Sequence, residues 1–170
     1  MRIYDQQLCR MADCFVLPTW VAHEFSVERV RSCCVPESLV LCDSPENVAD
    51  YWKGHIESER GFNSDCEQLV VLLLDSRNRV RGHHVVGIGT VDSVSTHPRE
   101  IFRVAIMIAT SRIVLLHNHP SGDPTPSVSD IRTTKEIERA GRVVQINLLD
   151  HVIIGDSSFS SLRELGHICD

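Results

Sequence analysis

Apolar positions follow different periods in different parts of this chain, and the change of period marks the elements. Gln68 to Leu74 runs apolar and branched almost without interruption, the pattern of a strand buried on both faces. Asp75-Ser76-Arg77-Asn78 supplies turn chemistry, and Val80 to Val91 resumes an extended pattern, so the two read as a hairpin. His97-Pro98 then opens a helix whose apolar residues Ile101, Phe102, Ala105, Ile106 and Ala109 recur at helical spacing. Ile113 to Leu116 is a short buried strand running into the Pro- and Gly-rich loop His119 to Pro126. A further helix spans Ser127 to Ala140, where Gly141 stops it. Val143 to Leu149 and His151 to Ile154 read as closing strands. Upstream, Ser44-Pro45-Glu46 combines a cap, a first-turn proline and an acidic residue, and starts a helix reaching about Arg60. Residues 1–43 show no period and read as an N-terminal extension, packed on the domain or facing a partner. Residues 44–170 form the domain proper. The pattern predicts an α/β (α+β) fold in which a mixed sheet is flanked by helices.

Composition narrows the classes. The chain has 170 residues, 42% of them hydrophobic, which suits one domain with one core. Its 17 basic and 23 acidic side chains give a net charge of −6, and no basic cluster offers a footprint for nucleic acid or an anionic membrane. The longest apolar run is far shorter than the roughly 20 residues that span a bilayer, and no signal peptide is recognisable. Seven cysteines include no C-x-x-C pair, so they suggest reduced, packed thiols in a cytoplasmic protein rather than a zinc ribbon or a disulfide framework.

The chemistry concentrates between Leu116 and Asp130. His117 and His119 are separated by one residue at the end of a strand, and strand side chains alternate, so both project to one side and can converge on an ion. Asp130, in the first turn of the following helix, can complete a His, His, Asp set, which is the three-ligand pattern of a catalytic zinc site with one open position. Each part has an ordinary reading as well. A strand-end histidine is usually a hydrogen-bonded core residue, and Ser127-x-x-Asp130 is close to a helix capping box. Together, the pair, the rigid loop and the helix-start carboxylate favour metal. Glu67, at the entrance to a central strand, is the candidate base for a metal-activated water.

The string HNHPSGDPTPS followed by Asp130 resembles the JAMM, or MPN-plus, metalloprotease motif, and its wording is similar to the RadC-like branch of the JAB family. Supporting segments are EQLVVLLLDSRNRV from Glu67, HPREIF from His97 and LLDHVIIGD from Leu148, within a resemblance covering Ser44 to Gly166. It implies a JAB/MPN fold similar to cytidine deaminases. It also implies Zn2+ held by His117, His119 and Asp130, with Glu67 taking a proton from the zinc-activated water and returning it to the leaving amine. Ser127 is implied to steady the oxyanion. The activity so implied is zinc metallopeptidase cleavage of a peptide or isopeptide bond, acting on a peptide or protein substrate such as a ubiquitin-like tail. A deaminase reading fails because H-x-E and P-C-x-x-C are absent.

Two departures from the family bear on function. Residues 1–43 lack the glycine-bearing hairpins of a helix-hairpin-helix region, which weakens the alternative of a DNA-repair-associated accessory or binding role. His83-His84-Val85 occupies the second strand where relatives often place an acid, which leaves His84 as a minor candidate ligand.

Overall fold

The computed structural model describes residues 41–89 and 97–169, so the predicted extension lies almost wholly outside the described residues. Eight elements follow in order: α1 (Pro45–Tyr51), β1 (Gln68–Leu74), β2 (Val80–Ile88), α2 (Pro98–Met107), β3 (Arg112–Asn118), α3 (Val128–Val144), β4 (Asn147–Ile154) and β5 (Phe159–Ser161). The strands form one mixed sheet in the order β2-β1-β3-β4-β5. β1 is antiparallel to both neighbours, β3 and β4 are parallel, and β5 returns antiparallel to β4. The expected α+β architecture is therefore present.

β1 is central and every one of its side chains is buried. Its odd positions Leu69, Val71 and Leu73 pack with Ile113 and Leu115 of β3 against Ile101 and Phe102 of α2 and Ile137 of α3. Its even positions Val70, Leu72 and Leu74 pack with Val114, Leu116 and Val152 against Val48, Tyr51 and Trp52. Helices thus cover both faces, which is why β1 reads as continuously apolar rather than alternating. Truncating a residue such as Leu72, with no exposed surface, to alanine would cost about 2–5 kcal/mol.

Four expected boundaries are corrected. The first helix is regular only to Tyr51 and continues as one π-helical turn, Trp52–Ile56, rather than reaching Arg60. Glu57-Ser58-Glu59-Arg60 offers no apolar side chain to hold a further turn on the sheet. In α2, Ile101, Phe102 and Ala105 are buried as expected, but Ile106 is exposed and Ala109 lies beyond the helix in a left-handed conformation, φ 51°. α3 does not stop at Gly141. It passes through that glycine to Val144 and ends at left-handed Gln145, φ 57°, with the Ile146 N–H donating to the Gly141 carbonyl over 2.9 Å. The glycine serves packing instead: a Cβ there would fall inside contact distance of the Ile146 carbonyl oxygen and 3.3 Å from the Phe102 ring. The two closing strands are one, β4, with a register shift against β3 that leaves Leu149 unpaired. Three-residue β5 was not foreseen.

The topology fixes where chemistry can occur. A parallel β3–β4 pair needs a crossover, and α3 provides it. The loop after β3 and the N-terminus of α3 must therefore lie at the carboxyl end of β3, the usual place for a site in a sheet of this kind.

Candidate metal centre

Parity in the strands gathers the predicted residues. His117 continues the Ile113, Leu115 side of β3 and pairs with Leu69 across β1, so it faces α3, as does the odd-numbered Glu67 just before β1. His151 continues the Ile153 side of β4 and lies on the same face. His119 follows the strand, its N–H bonded to the Ile154 carbonyl over 2.9 Å. Asp130 enters from the first turn of α3.

Glu67, His117, His119 and Asp130 each bring a potential ligand atom to within 4.8 Å of the others. The separations are informative. His117 Nε2 and His119 Nε2 are 3.0 Å apart, His117 Nε2 and Asp130 Oδ1 are 3.4 Å apart, and His119 Nε2 and Asp130 Oδ2 are 3.5 Å apart. Bonds of about 2.0–2.1 Å at tetrahedral angles separate neighbouring ligand atoms by about 3.3 Å, so these three edges suit a small tetrahedral cation such as zinc. Glu67 Oε1 stands 3.5 Å from His117 Nε2 and 4.0 Å from His119 Nε2, on the remaining side. His117 and Glu67 are buried, whereas His119 and Asp130 are half-buried, so the cluster opens to solvent past the latter two.

Each member is held by its surroundings. His119 Nδ1 lies 2.7 Å from the Asp123 carbonyl oxygen, which can only accept, so Nδ1 carries a hydrogen and Nε2 is the ring nitrogen that faces the cluster. Asp123 is itself fixed by the Thr125 N–H and hydroxyl, at 2.9 and 2.7 Å. Gly122 takes a left-handed conformation, φ 78°, that other residues rarely adopt, and a Cβ there would push the Asp156 carboxylate aside. Ser127 caps α3: its Oγ accepts from the Asp130 N–H at 3.1 Å, and Asp130 Oδ2 accepts from the Ser127 N–H at 2.7 Å and hydroxyl at 2.6 Å. The capping-box reading of this pair is thus correct, and the box aims the Asp130 carboxylate. Asn118, between the two histidines, bridges the backbone on either side of Glu67. Its Oδ1 accepts from the Gln68 N–H at 2.9 Å and its Nδ2 donates to the Cys66 carbonyl at 3.1 Å.

Electrostatics follow from burial and proximity. Burial pushes the His117 pKa well below its ordinary value, and the neighbouring His151 adds to this. The contact with Asp130 raises that of His119. Burial opposes ionisation of Asp130, but contacts with His119 and His117 and two bonds from Ser127 outweigh it and hold the carboxyl well below the usual range. His151, fully enclosed, is lowered by burial to about 4. The set therefore presents a neutral imidazole, an ionised carboxylate and an imidazole that a cation can deprotonate, which are the forms that bind metal.

All five residues singled out in the sequence, Glu67, Ser127 and the three candidate ligands, lie in this one cluster or directly against it. His84 does not: it faces Arg103 and Glu100 beside α2. Asn118, Thr134 and His151 were not anticipated as part of the site. A histidine within the apolar run of LLDHVIIGD was the available signal, since a buried imidazole needs partners. Among the described residues no cysteine joins the cluster.

A mixed sheet with helices on both faces and a histidine, histidine, aspartate group at the carboxyl end of an inner strand defines a JAB/MPN-type domain. Residues 42–167 match the RadC-like JAB domain family, and the chain belongs to it. It is 44% identical over 134 residues to a UPF0758 protein of Staphylococcus carnosus, covering 79% of this chain and 57% of that one. It is 48% identical over 132 residues to a UPF0758 protein of Desulforamulus reducens, covering 78% and 56% respectively. The chain thus spans little more than half the length of these curated relatives. No helix among the described residues is long and apolar enough to cross a membrane.

Proposed function

We propose that this domain is a zinc-dependent hydrolase that cleaves a peptide or isopeptide bond in a peptide or protein substrate, a ubiquitin-like tail being one such substrate. The observation carrying this reading is the near-tetrahedral spacing of His117 Nε2, His119 Nε2 and the Asp130 carboxylate, with the Glu67 carboxylate beside both histidines, at 3.5 and 4.0 Å, as the fourth group. Zinc held there would supply a Lewis acid that polarises a carbonyl and lowers the pKa of water toward neutrality. Glu67 takes one proton from water as the new C–O bond forms and returns it to the amine nitrogen as the C–N bond breaks, so it ends as it began. Its buried position beside His117 suits an ionised base whose charge a cation offsets. The Ser127 hydroxyl, 2.6 Å from Asp130 Oδ2 on the exposed side, is available to an oxyanion once its hydrogen turns outward.

The test is Glu67→Gln in the full chain. Chelator competition measures zinc affinity, and a panel of internally quenched peptides and ubiquitin-like fusions measures cleavage. The reading predicts zinc affinity within a few-fold of wild type and hydrolysis lowered at least 10²-fold. Equal cleavage by wild type and variant would refute the role of Glu67. A large loss of zinc affinity would make Glu67 a fourth ligand of a closed, structural site.

A further inference from the structure

Behind the candidate ligands a chain of hydrogen bonds leaves His117 and returns to the backbone of Asp130. His117 Nδ1 lies 2.7 Å from His151 Nε2, and His151 Nδ1 lies 2.7 Å from Thr134 Oγ1. Thr134 Oγ1 donates to the Asp130 carbonyl oxygen over 2.6 Å. His117, His151 and Thr134 are all buried. With neutral rings the direction of the chain is settled from its far end. A carbonyl only accepts, so the threonine spends its single hydrogen there and turns a lone pair to His151. His151 then carries its hydrogen on Nδ1 and accepts at Nε2. His117 must donate from Nδ1, which leaves a lone pair on Nε2, the atom 3.0 Å from His119 and 3.4 Å from Asp130. The reverse direction would require the Asp130 carbonyl to donate a hydrogen it lacks.

We propose that His151 and Thr134 are positioning residues that lock the tautomer of His117, so that its cluster-facing nitrogen is always ligand-ready, and that they tie His117 to the helix turn carrying Asp130. The consequence for metal rests on the zinc-centre reading above; the tautomer itself does not. Ligating histidines commonly donate their second N–H to a carbonyl or carboxylate, and disrupting such partners costs about 10–100-fold in metal affinity. His119 follows that habit directly, through the Asp123 carbonyl. His117 reaches its carbonyl through two intermediaries, and the carbonyl belongs to another candidate ligand.

Thr134→Val in the full chain removes the hydroxyl at nearly constant shape, and Thr134→Ser restores it. Side-chain 15N chemical shifts of the metal-free protein at pH 8 distinguish N–H from lone-pair nitrogens, and competition with a chromophoric chelator reads zinc affinity. Wild type and Thr134→Ser should show His117 protonated at Nδ1 alone. Thr134→Val should populate both tautomers and bind zinc at least tenfold more weakly. A wild-type His117 protonated at Nε2 overturns the lock even if the valine variant does not fold. A valine variant with unchanged tautomer and zinc affinity overturns the roles of Thr134 and His151. Absence of zinc binding by wild type removes the zinc-centre reading alone, because the nitrogen shifts still decide the tautomer.

Discussion

Asn118→Ala tests whether the side chain between the two histidines holds Glu67 in place. The β1–β3 ladder ends at Leu69 and His117, and Asn118 extends it with side-chain atoms, accepting from Gln68 and donating to Cys66. Truncation removes both bonds and leaves a buried N–H and a part-buried carbonyl facing each other across a small void. At about 1–3 kcal/mol for each group left unpaired, and with the Cys66 carbonyl nearer to water, the loss should total about 2–4 kcal/mol. Urea denaturation of the metal-free protein measures it, with the slope expected to stay constant because the surface exposed on unfolding barely changes. Hydrolysis should fall further than zinc affinity, since Glu67 loses its backbone anchor on both sides while His117, His119 and Asp130 keep theirs. A stability change below about 0.5 kcal/mol would show that the two bonds are replaced by solvent and that Asn118 holds nothing.

Other perturbations report on neighbouring parts of the structure. His151, lowered by burial from 6.5 to about 4, must stay neutral in the folded state. A depressed folded pKa gives stability that is fully present above the unfolded pKa of 6.5 and is lost as pH falls through about 4. The shift corresponds to about 3 kcal/mol. Urea midpoints of the metal-free protein should therefore fall more steeply between pH 7 and 4.5 in wild type than in His151→Gln, and parallel curves would contradict the assignment. Gly141→Ala should destabilise by about 1–3 kcal/mol despite alanine's better helix propensity, because the Ile146 backbone and the Phe102 ring must move; a rise in thermal midpoint would show that they yield freely. His119→Ala and Asp130→Ala should each abolish tight zinc binding, measurable as metal content after gel filtration, and full occupancy in both would dissolve the proposed centre.

Much of this molecule was legible in its sequence, for identifiable reasons. Unbroken apolar runs announced β1 and β3, and the H-x-H spacing at a strand end placed two imidazoles on one side of the chain. What escaped was decided by tertiary contact. Gly141 reads locally as a stop but lies inside α3, because its missing side chain admits the Ile146 carbonyl and the Phe102 ring. β4 reads as two strands because the unpaired Leu149 and the buried polar pair Asp150 and His151 interrupt its apolar pattern. Asp150 is there to accept from the Ser161 hydroxyl and the Arg163 N–H, and His151 to reach His117, and each of these bonds joins residues more than ten apart. The role of Asn118 was invisible for the same reason: its partners lie some fifty residues upstream.

The central claim is that three side chains hold one zinc and leave Glu67 free to move a proton. Anomalous diffraction at the zinc edge from crystals of the zinc-loaded chain tests it most directly. The account predicts one zinc about 2.0–2.2 Å from His117 Nε2, His119 Nε2 and an Asp130 oxygen, with both Glu67 oxygens beyond bonding distance. Zinc bound elsewhere, or bound by Glu67 as a fourth protein ligand, would contradict it.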